Sequence, residues 1–136
     1  MAAKEYSAQC PENPPAWYWI KGLHDAGITE VAAFEFPFNY QKFIKDKNNY
    51  NRNLLKLKVD SKGALFDTTV KEICFYNYKI LTPDISLENR SVMWWLSDRL
   101  READGCFVLD IDLHDFKSYP EDFTFKIKFE RAEVIR

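Results

Sequence analysis

The segment Phe123–Phe129 alternates almost without error. Phe123, Phe125, Ile127 and Phe129 fall on one side, and Thr124, Lys126, Lys128 and the following Glu130 on the other. Strand side chains point to opposite faces at period two, so this segment has one dry face and one wet face. Burying its four apolar side chains is worth roughly 6–12 kcal/mol of gross transfer energy, before chain entropy is subtracted. Such a strand belongs to an antiparallel, half-exposed sheet. It argues against a parallel nucleotide-binding sheet, whose strands are apolar on both faces.

Other segments repeat the pattern. Ile28 to Phe36 reads as a first strand, ended by Pro37. Leu55, Leu57 and Val59 alternate with Lys56, Lys58 and Asp60 before Ser61-Lys62-Gly63. Glu72 to Leu81 is apolar or aromatic on both faces, the pattern of a central strand, and Thr82-Pro83-Asp84 ends it. Cys106 to His114 turns Phe107, Leu109, Ile111 and Leu113 inward, and Asp115 to Asp122 connects it to the last strand. Residues 92–103 fit two descriptions. As a helix, Val92, Leu96, Leu100 and Ala103 form a stripe closed by Gly105. As a strand, Val92, Trp94, Leu96 and Leu100 share a face, and Asp104-Gly105 makes a hairpin turn into Cys106. The adjacent Trp94-Trp95 and the Asp-Gly turn favour the hairpin.

The expected fold is therefore mainly β. It is an antiparallel curved sheet or small sandwich of five to six strands with one or two short helices, becoming α+β if residues 92–103 are helical. One helix is expected between Pro15 and Gly27, and residues 40–53 read as a loop or a short helix and a loop. At 136 residues the chain is one domain by length, with residues 1–13 as a flexible arm and 14–136 as the folded unit. Residues 1–15 contain no apolar signal segment and no run is long enough to span a bilayer, so a cytoplasmic location is expected.

Charge is distributed unevenly. Lys42, Lys45, Lys47, Arg52, Lys56, Lys58 and Lys62 face only Asp46 and Asp60, whereas ten acids between Asp84 and Asp122 face four bases. A chain polarised in this way can steer a charged partner. The basic stretch, with Tyr40, Phe43 and Tyr50 interleaved, has the composition of a single-strand nucleic-acid site, but the overall charge of −2 argues against one. Three cysteines without close spacing give neither a zinc pattern nor a disulfide framework.

The two histidines sit in identical tripeptides, Leu23-His24-Asp25 and Leu113-His114-Asp115. Asp110, Asp112 and His114 share the wet face of one strand, so with His24 and Asp25 they are the candidate ligands of a divalent metal. The simpler reading makes them solvated partners of Lys126 and Lys128. No nucleophile elbow, phosphate loop or His-Glu-x-x-His pattern occurs, and no cofactor is expected. Aromatics make up 16% of the chain. Two adjacent tryptophans cannot both point inward on a strand, so one of Trp94 and Trp95 should approach the surface, either as a binding anchor or as a ring covering the other side of a two-sided sheet.

The run Gly22-Leu23-His24-Asp25-Ala26-Gly27-Ile28, followed by Trp95-Leu96-Ser97-Asp98 and a Phe-rich closing strand, resembles small bacterial domains grouped with polymorphic-toxin immunity proteins. The resemblance covers residues 17–135. Arg99 stands where the pattern has an acidic residue, and Asn39 to Asn53 is an insert. What the resemblance implies is a non-enzymatic cytosolic protein that occludes a toxin's active site. The expected function is accordingly a protein-binding module. Trp94, Trp95, Asp98, Asp110 and Asp112 would meet a basic protein partner, with no nucleic acid and no membrane involved. A homo-oligomer interface is the other use of exposed aromatics. A metal-dependent enzyme or ligand-binding protein built on the His/Asp cluster is the alternative function.

Overall fold

The computed structural model describes residues 4–6, 15–19, 22–47, 50–82, 92–103, 105–115 and 122–136. Among them lie nine strands and one helix. The strands are β1 (Lys4–Tyr6), β2 (Gly27–Glu35), β3 (Asn53–Asp60), β4 (Glu72–Tyr76), β5 (Lys79–Ile80), β6 (Met93–Ala103), β7 (Cys106–Asp115), β8 (Asp122–Phe129) and β9 (Arg131–Ile135). The helix, α1 (Tyr40–Lys45), follows β2. The class is the expected one, with more strands than five or six because β4–β5 and β8–β9 are each bent into two pieces. Three residues of the N-terminal arm form β1 and pair with β6. The connection at residues 116–121 lies outside the described residues.

All strands join one antiparallel sheet in the order β5-β8-β7-β6-β2-β3-β4-β9, with β1 beside β6. Only Asn77 and Tyr78 separate β4 from β5, and only Glu130 separates β8 from β9. The path therefore begins and ends on the same two lengths of chain, and the sheet curls back on itself. The ladder between them runs from Glu72↔Ile135 through Tyr76↔Arg131 to Ile80↔Ile127 without a change of register.

The inward face of this curl is the core. Phe125, Ile127 and Phe129 of β8 meet Leu109, Ile111 and Leu113 of β7, Leu57 of β3, and Ile73 and Phe75 of β4, all fully buried or nearly so. Phe123 is half-buried. The closing strand thus places its alternation as its sequence demands.

Residues 92–103 form a strand, not a helix. The β6–β7 hairpin closes at Ala103↔Cys106, and Gly105 adopts φ 76°, as a two-residue hairpin turn requires. A bulge between Trp95 and Ser97 shifts the pairing by one residue. An extra residue resets the side-chain alternation, so Trp95 and Asp98, three positions apart, both face the core.

Among the described residues the helix expected between Pro15 and Gly27 does not form. The described residues there make successive tight turns, Tyr18 N–H to Pro15 O, Gly22 N–H to Trp19 O and Ala26 N–H to Leu23 O. Gly22 (φ 83°) and Asp25 (φ 71°) take a conformation that ends a right-handed helix. These turns deliver Tyr18, Trp19 and Leu23 into the open side of the curl, where Trp19 packs edge-on against Trp95 at 5.3 Å between ring centroids.

Candidate functional site

Asp110, Asp112 and His114 do share the outer face of β7, and each is committed to its own neighbours. Asp110 is almost fully buried, with Arg101 Nη2 at 3.0 Å, Arg99 Nη2 at 3.4 Å and its cross-strand partner Lys126 at 4.0 Å. Asp112 accepts hydrogen bonds of 2.6 Å from Ser97 and from Thr124. His114 Nδ1 lies 2.5 Å from Asp122 Oδ1. His24 sits at the turn before β2. Its Nδ1 donates to the Leu96 carbonyl at 2.6 Å, and Nε2 is 3.5 Å from Asp25. Among the described residues no three His, Cys, Asp or Glu side chains form a group that could hold a metal. The candidate set His24, Asp25, Asp110, Asp112 and His114 is not brought together as a ligand sphere.

The candidate partner-binding set fares unevenly. Trp95 is fully buried and Trp94 half-buried, so the surface side of the pair is Trp94. Asp98 faces inward and accepts from Tyr18 Oη at 2.5 Å, Trp19 Nε1 at 2.9 Å and Trp95 Nε1 at 2.9 Å. Loss of hydration raises its pKa, and the three donated hydrogen bonds only partly offset that. Burial, helped by the neighbouring Asp98 charge, also drives the Tyr18 hydroxyl far above its ordinary range. Trp95, Asp98 and Asp110 are therefore structural, and the acidic rim read for a basic partner loses two of its three carboxylates. What remains there is a shallow groove of about 320 Å³ lined by Leu96, Ser97, Asp112, Asp122, Phe123 and Thr124.

A different surface concentrates exposed apolar side chains. Phe34, Phe36, Phe38, Tyr40 and Ile44 lie in one stretch of chain from the end of β2 into α1, and all are 41–68% exposed. Large apolar side chains so concentrated on the outside are uncommon unless they meet something. Phe38 is held in place from below. Tyr50 is nearly buried and supports Phe43 (5.5 Å, edge-on) and Phe38 (5.9 Å) by ring contacts. Its hydroxyl accepts from Asn39 N–H at 2.7 Å. Asn39 in turn caps α1, its side chain accepting from Lys42 N–H at 3.1 Å. Beside this foot runs a groove of about 540 Å³ lined by Phe36, Pro37, Asn39, Lys42, Asp46, Tyr50 and Asn51.

Asn77 anchors the foot to the sheet. It occupies the kink between β4 and β5 at φ 55°, a conformation asparagine tolerates better than most residues. Its side chain donates to the Tyr50 carbonyl (2.7 Å) and to Glu130 (2.9 Å), and accepts from Arg52 N–H (2.6 Å). Burial works to raise the Glu130 pKa, but hydrogen bonds from Arg52 and Asn77 hold it below the usual carboxylate range. One side chain thus ties the Tyr50 segment to both kinks of the curled sheet. Asn77→Ala is expected to lower stability by about 2–4 kcal/mol, read by urea unfolding, from orphaned groups and an unfavourable backbone.

The basic stretch with Tyr40, Phe43 and Tyr50 carried part of this signal in the sequence. The alternation of Phe34, Phe36, Phe38 and Tyr40 beyond the end of a strand carried the rest. No helix among the described residues is long and apolar enough to cross a membrane. The chain matches no family model, no curated protein and no solved structure.

Proposed function

We propose that this protein is a non-catalytic protein-binding module whose docking surface is the aromatic stretch of β2 and α1. The observation that supports this reading is the run of five exposed apolar side chains, Phe34, Phe36, Phe38, Tyr40 and Ile44, with Phe38 at its centre packed on the Phe43 and Tyr50 rings. Rigid aromatics lose little conformational freedom on binding and dominate interface energetics. Inhibition of a toxin by occlusion, which the immunity-type resemblance implies, is the case in which the docked partner is an enzyme.

A photoreactive phenylalanine placed at Phe38 and, as a control, at Lys128 on the outer face of β8 tests the reading in cells. Position 38 is expected to give discrete adducts of larger mass that position 128 does not. Adducts at neither position, or only adducts at twice the chain's own mass, would overturn it, the second outcome assigning the surface to self-association.

A further inference from the structure

We infer that the partner at the β2–α1 surface presents an acidic segment carrying a large apolar side chain. The inference rests on the docking reading above and adds its chemistry. Lys42, Lys45 and Lys47 are exposed and belong to α1 or the residues just after it, and Lys42 also lines the groove. Among the described residues neither Lys42 nor Lys45 has a carboxylate within ion-pair distance, while Lys47 lies 5.8 Å over the Phe43 ring. Further along the stretch, Arg52 pairs with Glu130, Lys56 with Glu72 and Lys58 with Glu30, while Lys62 lies beyond the end of β3. Three exposed lysines with no ion pair among the described residues thus lie beside the exposed aromatics, opposed by Asp46 at the groove and by the exposed Glu35 between Phe34 and Phe36. An apolar centre rimmed by unspent cations complements an apolar anchor flanked by carboxylates, and long-range attraction of that kind sets specificity and speeds association.

The shape of the site favours a polypeptide. The groove is recessed and lined by Asn39 and Asn51, whose Oδ1 atoms already accept from Lys42 N–H and Arg131, which leaves their Nδ2 groups to donate to an extended backbone. A bilayer would rest on the tips of Phe38 and Tyr40 and leave that recess unfilled. A second copy of the chain offers fewer acids than its sequence suggests, because Asp98 and Asp110 are engaged within their own fold.

The test uses an array of synthetic peptides with Phe or Leu flanked by Asp and Glu, by Lys, or by Ser. The folded protein is expected to retain the acidic set at least about tenfold more tightly than the Lys set. The triple variant Lys42→Glu, Lys45→Glu, Lys47→Glu is expected to invert that preference with its melting temperature unchanged. Equal binding of acidic and Lys-flanked peptides, or an uninverted preference in the triple variant, would overturn the acidic partner and leave the docking surface standing. Phe36→Ser with Phe38→Ser is expected to abolish retention of every set, and full retention would remove the docking surface itself. Phosphatidylserine vesicles or oligothymidylate bound in preference to acidic peptides would also overturn the inference, in favour of a membrane or nucleic acid.

Discussion

Replacing Asp98 with alanine is expected to lower the unfolding free energy by about 3–6 kcal/mol, a large part of the stability of an ordinary domain. The carboxylate is the shared acceptor for the side-chain donors of Tyr18, Trp19 and Trp95, which have no other hydrogen-bond acceptor among the described residues. Removing it leaves a hydroxyl and two indole N–H groups without an acceptor against the core, each costing about 1–3 kcal/mol. It also unties the N-terminal turns from the sheet, since the bonds that reach Tyr18 and Trp19 span 80 and 79 positions of sequence. Urea unfolding followed by tryptophan fluorescence reads both effects. A loss below about 1 kcal/mol, the worth of one ordinary hydrogen bond, would contradict the account.

Asp98→Asn separates the acceptor from the charge. The folded-state pKa of Asp98 is raised, so its protonated form is favoured in the native state. Its contribution to stability is fully present below the unfolded value of about 4 and is lost as pH rises through the folded value. Asp67 and Glu130 act in the opposite sense. Their folded pKa values are lowered, so their contributions are present above the unfolded value and fade as pH falls through the folded one. Subtracting the stability of the Asn variant at each pH isolates Asp98. The difference, wild type minus variant, is expected to decline as pH rises above about 4. A flat difference would mean that the carboxyl is not desolvated.

Phe129→Ala is expected to cost about 3–5 kcal/mol in the same assay. The ring has no exposed area and closes the strand just before the Glu130 bend. It packs at 4.7 Å on Phe75, 5.7 Å on Phe107 and 5.6 Å on Trp17, joining β4, β7 and the N-terminal turns at the place where the sheet returns on itself. Lys128, one position earlier on the exposed face, is the control, and its alanine variant is expected to stay within about 0.5 kcal/mol. Comparable losses at both positions would mean that β8 does not hold its two faces as described.

The alternation of β3, β7 and β8 was legible because each of those strands keeps one phase throughout. The choice of strand for residues 92–103 followed from Asp104-Gly105 and the paired tryptophans. What alternation could not reveal was the bulge beside Leu96. A strict period puts Trp94 and Leu96 on one face, whereas the inserted residue turns Trp95 and Asp98 inward together. That one irregularity turned Trp95, a proposed anchor, into the core in place of Trp94, while Asp98 faces inward in phase with Leu100. The turns at 15–26 were hidden for a similar reason, because the contacts that stabilise Tyr18 and Trp19 come from residues about 80 positions away. Asp110, Asp112 and His114 were correctly placed on one face of a strand. A shared face, however, does not bring side chains to a common point, and Arg99, Arg101, Ser97 and Thr124 had first claim on the carboxylates. The aromatic run at Phe34 to Tyr40 was in plain view, but its exposure follows from the chain leaving the sheet after Glu35, which the pattern alone does not show.

The central claim is that the β2–α1 aromatics form the docking surface. The direct test is the affinity of the partner captured through position 38, measured with the wild-type protein and with the Phe36→Ser, Phe38→Ser variant. The account predicts binding weaker by at least about a hundredfold in the variant, with an unchanged melting temperature, because both rings are exposed and contribute little to the core. Equal affinity for the two proteins would contradict it.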